Sequence, residues 1–205
     1  RALANNSVAY TEKPDAGIFM KEWLALYESK SGERGIFNRE ASQKQAAKWG
    51  RRDVTVDYGT NPCSEIILKP YQFCNLSTVV VSPDDTLASL KTKVRLATIM
   101  GTMQSTLTDF PYLRDIWKTN TEQERLLGVS MTGILDNHIL RGSSTQHNLR
   151  NVLEELRDVA RETNKEWAEI LGVPESSAIT CVKPSGTVSQ LVNSASGIHP
   201  RFSSH

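Results

Sequence analysis

The sequence predicts an α/β fold, and three observations lead to it. Helix-spaced apolar segments alternate along the chain with short runs rich in β-branched residues, the order expected when helices connect strands. Pro, Gly and Asp fall between these segments and punctuate them. No internal repeat or low-complexity stretch interrupts the alternation.

Taken in order, residues 1–12 read as an extended entry with a polar patch at Asn5-Asn6-Ser7. Pro14 opens a helix to about Ser29, and Ile18, Phe19, Trp23, Leu26 and Tyr27 give it an apolar face expected to be core. Ser31 to Gly35 is a turn with two glycines. A polar helix spans 39–49 and stops at Trp49-Gly50. Val54 and Val56 suggest a short strand over 51–57. Phe73 to Val81 reads as a buried strand with Cys74 near its start. Asp84-Asp85-Thr86 caps a long helix whose buried face runs through Leu87, Leu90, Val94, Ala97 and Met100/Gly101, with Asp109-Phe110-Pro111 ending it. Residues 121–135 read as a helix. Ser144 or Thr145 caps a helix over about 146–171, with Leu149, Leu153, Leu156, Ala160, Trp167 and Leu171 inward and Gly172 and Pro174 as its stop. Ala178 to Val182 is a short strand containing Cys181.

Composition narrows the function. The 205 residues have a formal net charge of +1, so no basic field draws nucleic acid. No apolar run approaches the roughly 20 residues that cross a bilayer. Cys63, Cys74 and Cys181 are too few for a secreted disulfide scaffold, and no CxxC or helically spaced His pair suggests zinc. The cytoplasm is the expected location. Arg1-Ala2-Leu3 is not an initiator sequence, so a piece of a larger protein is expected.

Two stretches carry chemistry. Asn61-Pro62-Cys63-Ser64-Glu65 places an amide, a thiol and a carboxylate at alternating positions. In an extended segment these three side chains project to one side. A thiol between polar residues is most often a turn residue without a task; beside an amide and a carboxylate base it suits chemistry on a polyol. Cys63 on a loop and Cys74 on the returning strand are expected to approach each other without a permanent bridge. Lys183-Pro184-Ser185-Gly186-Thr187-Val188-Ser189-Gln190 is a strand-to-helix turn in which small residues, hydroxyls and a helix start outline an anion cradle. It lacks the Walker spacing. Asn193 to Arg201 is a second polar loop, where His199 reads as a hydrogen-bonded loop residue.

The Asn61–Glu65 motif, followed by Pro70-Tyr71-Gln72-Phe73-Cys74-Asn75-Leu76-Ser77, resembles the catalytic finger loop of the ribonucleotide reductase large chain. Lys183–Gln190 with Gly197-Ile198-His199-Pro200 resembles its substrate-phosphate loop, and Gly128-Val129-Ser130-Met131-Thr132-Gly133 fits between them. The likeness is greatest to the adenosylcobalamin-dependent class II members. The family more often has Gly where Ser64 stands.

The resemblance implies a ten-stranded α/β barrel threaded by the finger loop, of which 1–205 would be a single fragment of the catalytic barrel domain, with a finger loop at 59–76 and a phosphate loop at 183–190. It implies that Cys63 carries a thiyl radical that removes the ribose 3′ hydrogen, that Glu65 is the general base and that Asn61 orients the sugar. Cys74 would be one of two reducing thiols, its partner upstream; Cys181 reads instead as a buried strand residue. Pro184, Ser185, Gly186, Thr187, Val188 and Ser189 would bind substrate phosphate through backbone N–H and hydroxyl groups. Adenosylcobalamin as radical source, a ribonucleoside triphosphate as substrate and a thioredoxin-type dithiol as reductant follow from the same resemblance. The alternatives are a class I diphosphate reductase large subunit and a non-catalytic nucleotide-binding module.

Overall fold

The computed structural model describes residues 6–32, 34–48, 50–201 and 203. The chain divides into two compact units, residues 1–70 and 71–205.

In the first unit, β1 (Asn6–Tyr10) pairs in parallel with β2 (Arg34–Asn38), Asn6 opposite Arg34 and Tyr10 opposite Asn38. Helix α1 (Ala16–Ser29) connects them, as a parallel pair requires a crossover. Asp15 caps α1, its carboxylate accepting from the N–H groups of Gly17 and Ile18. Lys30, left-handed at φ 46°, ends it. The expected apolar face of α1 is not core: Ile18, Trp23 and Tyr27 are exposed, as are Met20 and Leu24. Aromatic spacing identified the face, but among the described residues no element of this unit covers it. Strand β2 falls where a turn was expected at its first two residues. The Asn5-Asn6 side chains, Glu33 and Trp49 lie outside the described residues.

Helix α2 (Arg39–Ala47) follows directly, capped by the Asn38 side chain on Ala41 N–H. Gly50, at φ 62°, turns the chain away. Residues 51–57 are turns rather than the expected strand. Asp53 is the reason: its carboxylate accepts from both the N–H (2.8 Å) and the hydroxyl (2.7 Å) of Thr55. That local bond competes with a ladder, as aspartate side chains do. Tyr58 is fully buried and donates its hydroxyl to the Asp53 carbonyl at 2.6 Å. Next, β3 (Gly59–Thr60) and β4 (Ile67–Leu68) form a short antiparallel hairpin.

The second unit is built on β5 (Asn75–Val80), parallel to β6 (Leu127–Thr132) from Asn75↔Leu127 to Val80↔Thr132. Thr180 bridges Val129 on the other side of β6. Residues 121–135 are thus not one helix. Helix α4 (Asp115–Glu124) ends at left-handed Arg125, and the run Leu127–Thr132 becomes a strand buried on both faces. A short apolar run looks alike for a buried helix turn and a buried strand, and only pairing on both sides decides.

Helix α3 (Leu87–Gln104) begins at Thr86 in a capping box with Ser89. Its buried residues Leu90, Val94, Ala97, Thr98 and Gly101 match the expected face, with Gly101 rather than the exposed Met100 inward. It stops at Ser105, before Asp109. Helix α5 (Leu149–Leu171), capped by Asn148, packs against α3 through Val152, Leu156, Ala160, Thr163, Asn164 and Ala168. Leu153 is outside that face and is exposed. The core joins these helices to Val79, Val81, Leu127, Val129, Ile139 and Ile179. Each such side chain contributes about 1.5–3 kcal/mol by leaving water. Last, a 3₁₀ turn (Ile134–Asp136) and the five-residue α6 (Thr187–Leu191) lie near the end of β6 in the hydrogen-bond network described below.

Candidate active site

The motif Asn61–Glu65 occupies the tip of the β3–β4 hairpin. It is a turn, not an extended segment: Ser64 N–H donates to the Asn61 carbonyl at 2.9 Å, and Ser64 is left-handed at φ 62°. The alternation argument for one shared side therefore fails. What joins the residues is loop closure. The Asn61 side-chain oxygen accepts from Ile66 N–H at 3.0 Å, while Asn61 N–H donates to the Ile66 carbonyl at 3.3 Å. Asn61 thus clamps the loop through its carbonyl side, and Ile66 anchors the far end by burial. Cys63 is exposed, and Glu65 is half-buried. The relatives described below are more than three times as long as this chain, so this exposure is that of the segment by itself.

The Ser64 conformation is one that glycine adopts more readily. A left-handed residue costs an L-amino acid roughly 1–2 kcal/mol that Gly does not bear. Ser64 is a local strain on the tip, and its hydroxyl reaches Thr60 Oγ1 only at 3.4 Å.

Cys74 lies in the second unit, half-buried just ahead of β5. Both its flanks are pinned. The buried Gln72 amide donates to Glu124 (2.6 Å) and to the Asn120 carbonyl (3.1 Å), and buried Asn75 donates its N–H and its side-chain amide to the Leu126 carbonyl. Cys181 is half-buried beside β6, its N–H on the Val129 carbonyl at 3.1 Å. Register separates it from Cys74. Cys74 precedes the Asn75↔Leu127 pair and Cys181 follows Thr180↔Val129, so they stand about four β6 residues apart, or roughly 13 Å along the strand. That exceeds the reach of a disulfide.

The 183–190 stretch folds as a turn into α6. Gly186 has φ 49° and, with Thr187 and Val188, forms its exposed edge; Pro184 is also exposed. Ser185 and Ser189 are buried and face inward. The Ser189 hydroxyl donates to the Gly186 carbonyl at 2.6 Å. Ser185 Oγ lies 2.5 Å from Thr132 Oγ1. The Thr132 proton goes to the Ala195 carbonyl (2.8 Å), so the Ser185 hydroxyl donates to Thr132. Both serine protons are committed to the protein, and Thr187 is left as the exposed hydroxyl. Five residues also make α6 too short for a substantial macrodipole. Val188 N–H donates to the Ser185 carbonyl at 3.1 Å and Gly186 N–H to Ser196 Oγ at 3.3 Å, so an anion here would rest chiefly on the N–H and hydroxyl of Thr187.

The sequence assigns no role to the residues behind this turn: Thr132 in the Gly128–Gly133 motif, Asp136, and Ser194, Ser196 and Arg201 in the second polar loop. Gly197 N–H donates to Ser185 Oγ (3.0 Å) and to Thr132 Oγ1 (3.2 Å), and Gly186 N–H donates to Ser196 Oγ (3.3 Å). The legible signal was the Thr132-Gly133 pair closing an apolar run. His199 is exposed with Nδ1 3.1 Å from the Ser196 carbonyl, a loop residue as expected. Among the described residues no group of three His, Cys, Asp or Glu is placed to hold a metal. No described helix is long and apolar enough to cross a membrane.

Four similarities bear on this arrangement. Over its whole length the chain is 28% identical to the adenosylcobalamin-dependent ribonucleoside-triphosphate reductase of Lacticaseibacillus paracasei and 26% identical to that of Lactobacillus leichmannii, covering 30% of each. Over 82% of the chain it is 30% identical to the enzyme of that name from Euglena gracilis, covering 23% of it. The chain is homologous to segments of these adenosylcobalamin-dependent ribonucleoside-triphosphate reductases. Its fold matches the crystal structure of a B12-dependent, class II ribonucleotide reductase with a TM-score of 0.61 at 21% identity, over 96% of this chain and 34% of that one. No family model matches. The chain spans about 30% of the length of the bacterial relatives. The homology agrees with a mixed α/β architecture; the described strands form three two-stranded sheets rather than a closed barrel.

Proposed function

We propose that this chain supplies part of the active site of an enzyme that reduces ribonucleotides to 2′-deoxyribonucleotides. The observation that carries the reading is one hairpin tip holding Asn61, Cys63 and Glu65 within a chain alignable end to end with adenosylcobalamin-dependent ribonucleoside-triphosphate reductases. Both compact units would then belong to one ten-stranded catalytic barrel, with residues 59–76 as its finger loop.

In this reading the Cys63 sulfur takes the ribose 3′ hydrogen. Glu65 accepts the 3′-hydroxyl proton, the 2′-hydroxyl leaves as water with a proton from the reducing thiols, and the Cys63 thiol then returns its hydrogen to C3′. Asn61 uses its side-chain oxygen to close the loop, so its amide N–H₂ is the group that orients the sugar. Cys74, with a second thiol from elsewhere in the enzyme, supplies two electrons and becomes a disulfide; a thioredoxin-type dithiol then reduces it. The Gly186–Val188 edge, with Pro184 beside it and Ser185 and Ser189 shaping it from within, receives the triphosphate.

Adenosylcobalamin, when bound, supplies the one-electron chemistry that activates a thiol. Cys63 is the thiol on which that chemistry would act, since it stands at the hairpin tip with Asn61 and Glu65. The proposed place of this activity is the cytoplasm.

The test is reduction of a ribonucleoside triphosphate by the full-length protein with adenosylcobalamin and a dithiol, no second subunit added. Cys63→Ser should abolish product. Activity that appears only with a separate radical-generating subunit and a diphosphate would favour the class I alternative. Unchanged turnover by Cys63→Ser would leave a nucleotide-binding module.

A further inference from the structure

A set of ion-paired and hydroxyl contacts ties the 193–201 segment to the end of β6 and to the 183–190 turn. Asp136 is central to it. Its side chain is 11% exposed. One carboxylate oxygen accepts from Ala195 N–H at 2.8 Å and from Arg201 Nη2 at 3.1 Å; the other accepts from Arg201 Nε at 3.0 Å. Arg201 continues to Asn193, donating to its side-chain oxygen at 3.0 Å and to its carbonyl. Asn193 is left-handed at φ 50°, a conformation Asn tolerates better than most residues.

The segment held this way then holds the turn. The Ala195 carbonyl accepts from Gly133 N–H (2.7 Å) and the Thr132 hydroxyl (2.8 Å). Gly197 N–H reaches Ser185, and Ser196 Oγ accepts from Gly186 N–H. Gly133 admits nothing larger: a Cβ there would lie 2.7 Å from the Val81 carbonyl oxygen. Every polar contact of Asp136 and Arg201 named here ends on a loop that frames Gly186–Val188, and none reaches the hydrophobic core.

We infer that Asp136 and Arg201 are positioning residues that fix the 193–197 segment and, through Gly197 and Ser196, hold the Gly186–Val188 edge in the geometry that receives a substrate's anionic group. The clamp is worth having because the exposed edge has little of its own to rigidify it. The Ser185 hydroxyl turns inward to Thr132, the Ser189 hydroxyl bonds the edge only at the Gly186 carbonyl, and its helix has only five residues. Preorganised N–H groups bind an anion without the entropy cost of ordering a loop.

The inference rests on the reading of 183–190 as the phosphate loop, so the experiment separates the two. Asp136→Asn, Arg201→Met and Arg201→Lys are made in the full-length protein. Turnover of a ribonucleoside triphosphate with adenosylcobalamin and a dithiol gives KM and kcat, and hydrogen exchange gives the opening of segments 183–190 and 193–197. For Asp136→Asn and Arg201→Met we expect KM raised about tenfold or more with kcat within about twofold. Both segments should exchange at least roughly tenfold faster. Arg201→Lys should recover part of the KM, and the double variant should be no worse than the poorer single, since the pair acts as a unit. Unchanged exchange at 183–190 overturns the inference whatever the turnover. So does a fall in kcat that tracks lost thermal stability at constant KM. If the unaltered protein reduces no ribonucleotide while the variants loosen 183–190, the clamp stands and the substrate reading falls.

Discussion

Gly197→Ala tests how tightly the second polar loop presses on the candidate phosphate turn. Gly197 has φ 53°, and a Cβ there would lie 2.9 Å from the Lys183 carbonyl oxygen and 3.7 Å from Pro184 Cα. Two costs add. An alanine in the left-handed region costs roughly 1–2 kcal/mol. The carbonyl of Lys183 must also retreat, because backbone this close cannot rotate aside as a flexible side chain would. That retreat strains the Gly197 N–H bonds to Ser185 and Thr132, worth about 1 kcal/mol between them. The expected loss is therefore about 2–3 kcal/mol from the unfolding of the second unit. Gly172→Ala is the control: φ is 65° but nothing lies within 4 Å of its Cβ position, so only the backbone cost of about 1–2 kcal/mol applies. Urea unfolding of both variants measures the difference, and the KM for the triphosphate should rise for Gly197→Ala alone. Equal losses in the two variants would refute the contact between residue 197 and the turn. A normal KM at 197 would refute its bearing on substrate.

Ser64→Gly should remove the left-handed strain at the hairpin tip and stabilise it by up to about 1 kcal/mol, read as slower amide exchange of residues 60–67; faster exchange would mean that the 3.4 Å Thr60 contact matters more than the strain. Asn164, fully buried, donates to Thr102 and Ser176 and accepts from Ser176 N–H. Asn164→Leu strands those partners and should cost about 3 kcal/mol or more by urea unfolding. Burial opposes the charge of Asp85, but hydrogen bonds from Lys93, Ser82 N–H and Ser89 outweigh it and hold its carboxyl below the ordinary 3.8. Because the folded value is the lower one, its stabilisation is full above the unfolded value and is lost as pH falls below 3.8 and through the folded value. Urea midpoints across that range should show a shallower acid loss for Asp85→Asn than for the unaltered chain. Thr187→Val should raise KM with little change in kcat, and Glu65→Gln should nearly abolish turnover while substrate binding persists.

The sequence alone determined what local chemistry controls. Thr86 and Asn38 sit at helix starts, with hydroxyl or amide acceptors for the free N–H groups. The buried face of α3 follows from periodicity, on α5 only Leu156 and Ala160 of the residues expected inward are buried, and Gly172 ends α5 in a conformation suited to glycine. The two chemical motifs were also legible, because residue types at fixed spacing survive in the one-dimensional chain. Tertiary structure decided the rest. Leu127–Thr132 becomes a strand because β5 and Thr180 pair with it on either side, and a partner distant in sequence leaves no mark in the run itself. Residues 51–57 lose their strand to Asp53, and Asn61–Glu65 loses its alternation to a turn closed by Ile66. The inward direction of the Ser185 proton, and the Asp136–Arg201 pair 65 residues apart that stands behind it, depend on where loops meet in space. Spacing along a chain can propose which groups react. Only packing determines which of their hydrogens and lone pairs remain available to a ligand.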